Sequence, residues 1–285
     1  MNTLALVLVL FSAVLHASWN LLAKRIGGGA SLVWLYDSVS CIVYAPLALF
    51  AVFFQHNAFS MLLLLFIAGS AIFHLAYFVL LQLGYRAGDL SLVYPLARGT
   101  GPLLSTIAAM LLLGERPTLL AGAGILLIIA GVFLITGGTR VLKTHALSGA
   151  LLFGIVTGIF IAVYTLWDKV AVSRIQASPV LYYYGATLIR VSLLTPYSLL
   201  RWQEVRSTWS THRFRIIGIG VLSPLAYLLL LTAFTLAPVS LVAPAREISV
   251  LLGTLMGARL HSEGETKRRM LAASLILLGI IALAV

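Results

Sequence analysis

The stretch HASWNLLAKR, residues 16–25, closes the first apolar run of this chain, and YTLWDKVAVSR, residues 164–174, closes the sixth. Trp19 is echoed by Trp167, Asn20 by Asp168 and His16 by Tyr164, each pair 148 positions apart. The echo continues downstream. GERPTLLAGAGILLIIAGV from Gly114 aligns with SEGETKRRMLAASLILLGI from Ser262 at the same shift, pairing Glu115 with Glu263 and Gly131 with Gly279. SLVYP at Ser91 answers SLVAP at Ser240 at a shift of 149, and AYFVLL at Ala76 answers AYLLLL at Ala226 at 150. The drift needs only two single-residue gaps, so the chain reads as a doubled unit, residues 1–140 and 141–285.

Composition says what the unit is made of. Of 285 residues, 61% are hydrophobic and 9% charged, and the mean hydropathy is +1.07. A soluble chain is about 45–50% apolar and about 25% charged, so this one belongs in a bilayer. Apolar windows of about 20 residues, the length a helix needs to cross the hydrocarbon, recur at 3–23, 31–54, 60–83, 91–113, 118–136, 148–167, 178–200, 216–235, 240–258 and 270–285. The sequence thus predicts an all-α integral membrane protein with ten transmembrane helices. Five per unit is an odd number, so the second unit enters the membrane from the opposite face. Inverted repeats of this kind characterise secondary transporters, with the substrate near the repeat interface at mid-membrane.

The net charge of +11 would suggest nucleic acid in a soluble protein. Here the basic residues sit mainly in short loops, so no nucleic-acid partner is expected and membrane lipid is the surrounding phase. Of the 19 Lys and Arg, the odd-numbered loops hold 13 and the even-numbered loops 3, which predicts cytoplasmic odd loops and external termini. The basic segment RWQEVRSTWSTHRFR, residues 201–215, suits a short amphipathic piece along the membrane surface. The single Cys41 forms no internal disulfide and has no metal-ligand spacing around it, and no GxxxxGK[ST] phosphate loop occurs. No metal or cofactor is expected. The first run lacks a basic start and has a partner in the second unit, so it reads as a permanent helix.

A Trp-bearing first helix ending in Lys or Arg, and a Gly114-Glu115 turn (Ser262-Glu263 in the second unit) before a Gly-rich last helix, both repeated in order, resemble the EamA-type members of the drug/metabolite transporter superfamily. The resemblance spans essentially the whole chain and implies a polytopic carrier that exports or exchanges metabolites such as amino acids, nucleotide sugars or organic phosphates. In the small multidrug resistance relatives, a membrane-embedded Glu lies about two turns before the Lys that ends helix one. His16 stands there in this chain, so the usual counter-charge for lipophilic cations is missing.

Three arginines, Arg98, Arg190 and Arg246, lie within apolar spans. Each costs about 2.5–3.5 kcal/mol at a helix centre unless it meets water, a partner or substrate. Against them, Asp37 and Glu247 are the deep acids, so the cavity should prefer anions or zwitterions. Arg98 and Glu247 enter their helices from opposite faces and, at 1.5 Å per residue, differ in depth by roughly 10 Å, which makes a direct pair awkward and a bridging substrate natural. Ser91, Tyr94, Pro95 and Arg98 share one helical face, as do His16, Trp19 and Asn20, and Tyr164, Trp167 and Asp168. The substrate-binding candidates are therefore Arg98, Arg190, Arg246, Tyr94, Trp19, Trp167, His74 and Tyr77, and the proton-coupling candidates His16, His74 and Glu247. Each has a plainer role open to it: interfacial anchoring for the tryptophans, packing for the histidines and Tyr94, and ion pairing for the arginines.

The expectation is a non-enzymatic secondary transporter of a small anionic or zwitterionic metabolite, multi-pass in the cell inner (plasma) membrane, working as monomer or homodimer. The alternatives are a multidrug or cation exporter and a membrane-embedded lipid-modifying enzyme. The chain offers no DxxxD, HxxxH or HExxH for the latter.

Overall fold

Apolar runs punctuated by glycine, proline and basic turns become helices here, because in hydrocarbon every backbone N–H and C=O has to be satisfied within the segment. The structure, a computed structural model, describes residues 1–26, 29–54, 60–87, 90–135, 147–257 and 266–284. They form α1 (Thr3–Lys24), α2 (Ala30–Phe54), α3 (Met61–Ala87), α4 (Leu90–Leu112), α5 (Leu119–Ile135), α6 (Leu147–Ser173), α7 (Pro179–Leu200), α8 (Trp202–Leu236), α9 (Val239–Arg246), α10 (Ile248–Gly257) and α11 (Thr266–Ala284). Five of these are long and apolar enough to cross a membrane, and Leu119–Leu134 and Met270–Leu283 are shorter apolar stretches.

Local chemistry sets several boundaries. Asn2 caps α1, its side chain accepting from the Leu4 N–H, and Pro179 opens α7 where no intrahelical donor is needed. Gly114 ends the α4 segment at φ +71°, a conformation glycine adopts without a Cβ penalty. That turn then explains the Gly-Glu motif. The Glu115 carboxylate accepts from the backbone N–H of Val239 and of Ser240, both at 2.8 Å, and so caps the first turn of α9 in the other half.

Three expected boundaries change. The ninth span, 240–258, is two helices: α9 stops at Arg246 and α10 starts at Ile248. Pro244 lies inside α9 and brings no N–H, and the Glu247 N–H bonds only three residues back, to Pro244. α8 begins at Trp202, so the basic segment is helical, and it bends at His212 (φ −127°, ψ 15°) before the apolar stretch. The sixth span, expected at 148–167, continues in α6 to Ser173. Asp168 therefore sits inside a helix at 0% exposure, a third deep acid beside Asp37 and Glu247, where the hydropathy pattern puts a helix end.

Packing follows the repeat. α5 packs chiefly on α11 and α2 on α7, each against its own counterpart. The contact of α1 with α8 is matched by that of α3 with α6, and α4 with α6 by α1 with α9 and α10. Exchanging the halves maps these contacts onto one another or onto themselves. At the α5–α11 seam a Cβ on Gly124 would stand 2.7 Å from the Gly279 carbonyl oxygen, and one on Gly279 2.6 Å from that of Gly124; the two backbones touch, as small residues permit in membrane helices.

Polarity is turned inward. Leu4, Val7, Phe11 and Val14 on α1, and Leu49, Phe50, Phe53 and Phe54 on α2, are exposed, while Asp37, Asp168, Thr157, Ser198 and Ser240 are buried. An outer apolar surface with polar groups held in the bundle is what a bilayer solvent selects.

Candidate functional site

The inward polar groups gather in three clusters. The first is Arg98 on α4, His16 on α1, Arg246 at the end of α9 and Glu247 at the α9–α10 break. Arg98 Nη2 donates to His16 Nε2 at 2.9 Å, and its Nη1 lies 3.5 Å from Glu247 Oε1. Arg246 Nη2 approaches the other ring nitrogen, Nδ1, at 3.4 Å. A neutral imidazole has one lone pair for two guanidinium donors. The shorter contact places that lone pair on Nε2, so Arg246 faces an N–H.

The cluster is under-satisfied elsewhere too. Arg246 Nε, Glu247 Oε2 and Trp19 Nε1 are buried without a hydrogen-bond partner among the described residues, and Trp19 stands edge-on to His16 at 5.1 Å. A narrow cleft lined by Arg98, Pro102, Ser105, Thr165, Arg246 and Glu247 opens beside them.

The direct Arg98–Glu247 contact corrects the expectation that their depths keep them apart. The depth offset applies to the backbones, whereas α4 and α9 pack together and both side chains are long enough to reach inward across it. The pair also has a meaning in the repeat. Glu247 lies 149 positions after Arg98, the same shift that separates the two SLV motifs, so the two occupy equivalent places in the two units.

The second cluster is an ion pair. Arg190 on α7 donates from Nε to Asp37 Oδ2 at 2.9 Å and from Nη2 to Asp37 Oδ1 at 3.2 Å, with a further bond from Nη2 to Thr187 Oγ1 at 3.0 Å. Its Cζ lies 5.6 Å from the Tyr183 ring centroid. This is the two-pronged geometry that suits guanidinium and carboxylate best.

The third surrounds Asp168. Tyr182 donates to Oδ1 at 2.6 Å, and Tyr227 makes a short hydrogen bond to Oδ2. His74 Nε2 stands 3.9 Å from Oδ2, and its ring stacks on Tyr164 at 4.1 Å. Tyr77 meets Tyr164 at 5.7 Å. Tyr227 joins this cluster to the first, because Arg246 Cζ lies 5.7 Å from its ring centroid.

Of the expected residues, then, Arg98, Arg246, His16, Trp19 and Glu247 come together, His74 and Tyr77 assemble around Tyr164, and Arg190 is engaged by Asp37. Trp167 is held by α3, its Nε1 donating to the Phe66 carbonyl at 2.8 Å while its ring stacks on Phe66 at 4.2 Å. The Tyr94 side chain lies outside the described residues. Asp37, Asp168, Tyr182 and Tyr227 were absent from the expected site. The signal for Asp168 was present in its alignment with Asn20.

The sequence profile of the EamA-like transporter family matches residues 3–137 and again residues 148–285. A solved structure titled only "Crystal structure of protein" superposes with a TM-score of 0.76 at 16% identity, over 99% of this chain and 96% of that one; at that identity the likeness shows the fold alone. No curated protein matches the chain.

Proposed function

Because the chain belongs to the EamA-like transporter family, we propose that it is a secondary active transporter of a small anionic or zwitterionic metabolite, of the size of an amino acid, organic phosphate or phosphonate. Ten transmembrane segments are counted by taking α9 and α10 as one interrupted span and α8 beyond His212 as another. The two units alternate access around the Arg98–His16–Arg246–Glu247 cluster, in an inner (plasma) membrane with the odd loops cytoplasmic.

One observation carries the substrate class: at that cluster the Arg246 Nε donor is buried without a hydrogen-bond partner among the described residues, and its Nη2 faces the N–H side of His16 at 3.4 Å. A carboxylate or phosphate oxygen supplies the acceptor that Arg246 lacks, in the paired geometry guanidiniums favour. A zwitterion would set its anionic end there. The cluster sits at a broken helix, as in transporters whose discontinuous helices bind substrate at mid-membrane.

The test is a thermal-shift screen of the purified full-length protein against amino acids, organic phosphates, phosphonates and nucleotide sugars, followed by flux of the stabilising compound in proteoliposomes. Stabilisation by anionic or zwitterionic compounds, lost in Arg246→Gln, is the expected result. Stabilisation by lipophilic cations alone, or no flux of a compound that binds, would overturn the reading.

A further inference from the structure

Asp168 and His74 face each other with one hydrogen atom too few. His74 Nδ1 lies 2.9 Å from the Ser70 backbone carbonyl, and a carbonyl only accepts, so Nδ1 carries the ring proton. Nε2 is then a bare lone pair. It stands 3.9 Å from Asp168 Oδ2, a carboxylate oxygen that brings no donor either. Two acceptors confront each other, with Asp168 fully buried and the His74 side chain 20% exposed, and unmet polar groups in such a place are costly. The other bonds are already made: Tyr182 and Tyr227 donate to the two carboxylate oxygens.

We propose that Asp168 and His74 form a proton-binding site of this transporter, separate from the anion site and touching it through Tyr227. One proton, drawn from water, adds to Nε2 or to Oδ2 and forms a single N–H···O or O–H···N bond. No other bond forms or breaks. The net charge of the pair rises from −1 to 0, and release to water on the opposite side reverses the step.

The surrounding groups leave this role to the pair. On α6, Tyr164 stacks on the imidazole, and the Lys169 ammonium is turned away, donating to the Phe234 and Ala237 carbonyls at 2.5 and 2.9 Å. α3 adds Tyr77. α7 contributes Tyr182, Tyr183 and Arg190, the last engaged by Asp37 from α2. α8 contributes Tyr227, whose hydroxyl serves Asp168 while its ring lies under Arg246 of α9. Arg98 of α4 is committed to His16 and Glu247. No other imidazole or carboxylate on these elements approaches Asp168 among the described residues.

Proton coupling rests on the transporter reading, so the experiment reads the proton itself. Full-length protein in liposomes is titrated by infrared spectroscopy from about pH 4 to about pH 9, the range spanning carboxyl and imidazole titration, with protons as the only probe. The expected result is a protonated-carboxyl or imidazolium band that grows as pH falls and is lost in Asp168→Asn. Tyr227→Phe, which keeps the carboxylate but removes a donor to its charged form, should raise the midpoint by about one pH unit. A titration that Asp168→Asn leaves unchanged, or a wild-type protein with no such band, overturns the inference, as does an unmoved midpoint in Tyr227→Phe. Anion binding is read separately by thermal shift. A missing proton band with intact anion binding removes this inference alone, and an intact band without anion binding removes the proposed function alone.

Discussion

Two buried arginines in the same bundle lead different lives. Arg190 meets Asp37 through two bonds, at 2.9 and 3.2 Å, and Thr187 through a third. Arg98 Nη1 lies 3.5 Å from its carboxylate, and Arg98 and Arg246 approach the two ring nitrogens of His16. Both arginines pass the same test on sequence, a cation deep in an apolar span, and both are nearly enclosed, at 8% and 6% exposure. Depth alone thus does not distinguish a structural charge from a receptive one. What distinguishes them is geometry: Arg190 forms a two-pronged pair that locks α2 to α7, while Arg98 sits beside Arg246, whose Nε has no hydrogen-bond partner among the described residues.

The contrast breaks most visibly at Asp37. Asp37→Ala strands Arg190 in the bundle, and removing one partner of a buried pair costs about 3–5 kcal/mol. A large fall in the melting temperature or loss of the folded fraction is expected, and a wild-type melting temperature would show that Arg190 is not structural. Arg246→Gln should act the other way. The protein melts near the wild-type temperature, while loss of a charge-assisted contact of about 1.5–3 kcal/mol weakens anion binding about 10- to 150-fold; unchanged affinity by calorimetry would remove Arg246 from the site.

Glu247→Gln sharpens the comparison. It deletes the carboxylate that competes with an incoming anion, so affinity should rise, by about tenfold for a repulsion of about 1.4 kcal/mol. A fall in affinity would mean that Glu247 contacts a cationic part of the ligand. The smallest effect belongs to Thr187→Val, which removes one acceptor from Arg190. A loss of about 1 kcal/mol in stability with unaltered anion affinity is expected, and altered affinity would link the two clusters.

Much of the fold was legible, because hydrocarbon imposes a simple rule: apolar runs of sufficient length, ended by Lys, Gly or Pro, become helices. The rule failed where hydropathy falls before the helix does. Lys169 and Ser173 keep α6 going past its apolar part by bonding to backbone carbonyls, and this carries Asp168 inside. The Arg98–Glu247 contact was written in the shift of 149 between the halves, since equivalent positions on helices that pack across a repeat interface are brought together. Asp37 and Arg190, 153 positions apart, follow no such register. Their pairing depends on how α2 and α7 pack, which no local pattern encodes. The Glu115 motif was recognised by its place, but its task, capping a helix of the other half, required the tertiary structure.

The reciprocal approach of Gly124 and Gly279, each presenting its carbonyl to the other, has the character of an isologous interface, the kind two identical subunits form about a two-fold axis. In a true homodimer every substitution falls on both sides at once, so a residue that suits one wall is forced on the other. Joining the subunits into one chain lifts that constraint while the seam retains its symmetry. His16 can then differ from Tyr164, Asn20 from Asp168 and Arg98 from Glu247. The covalent link thereby allows a near-symmetric scaffold to hold unlike charges in its two halves, Arg98 in the first where the second has Glu247 and Asn20 where it has Asp168.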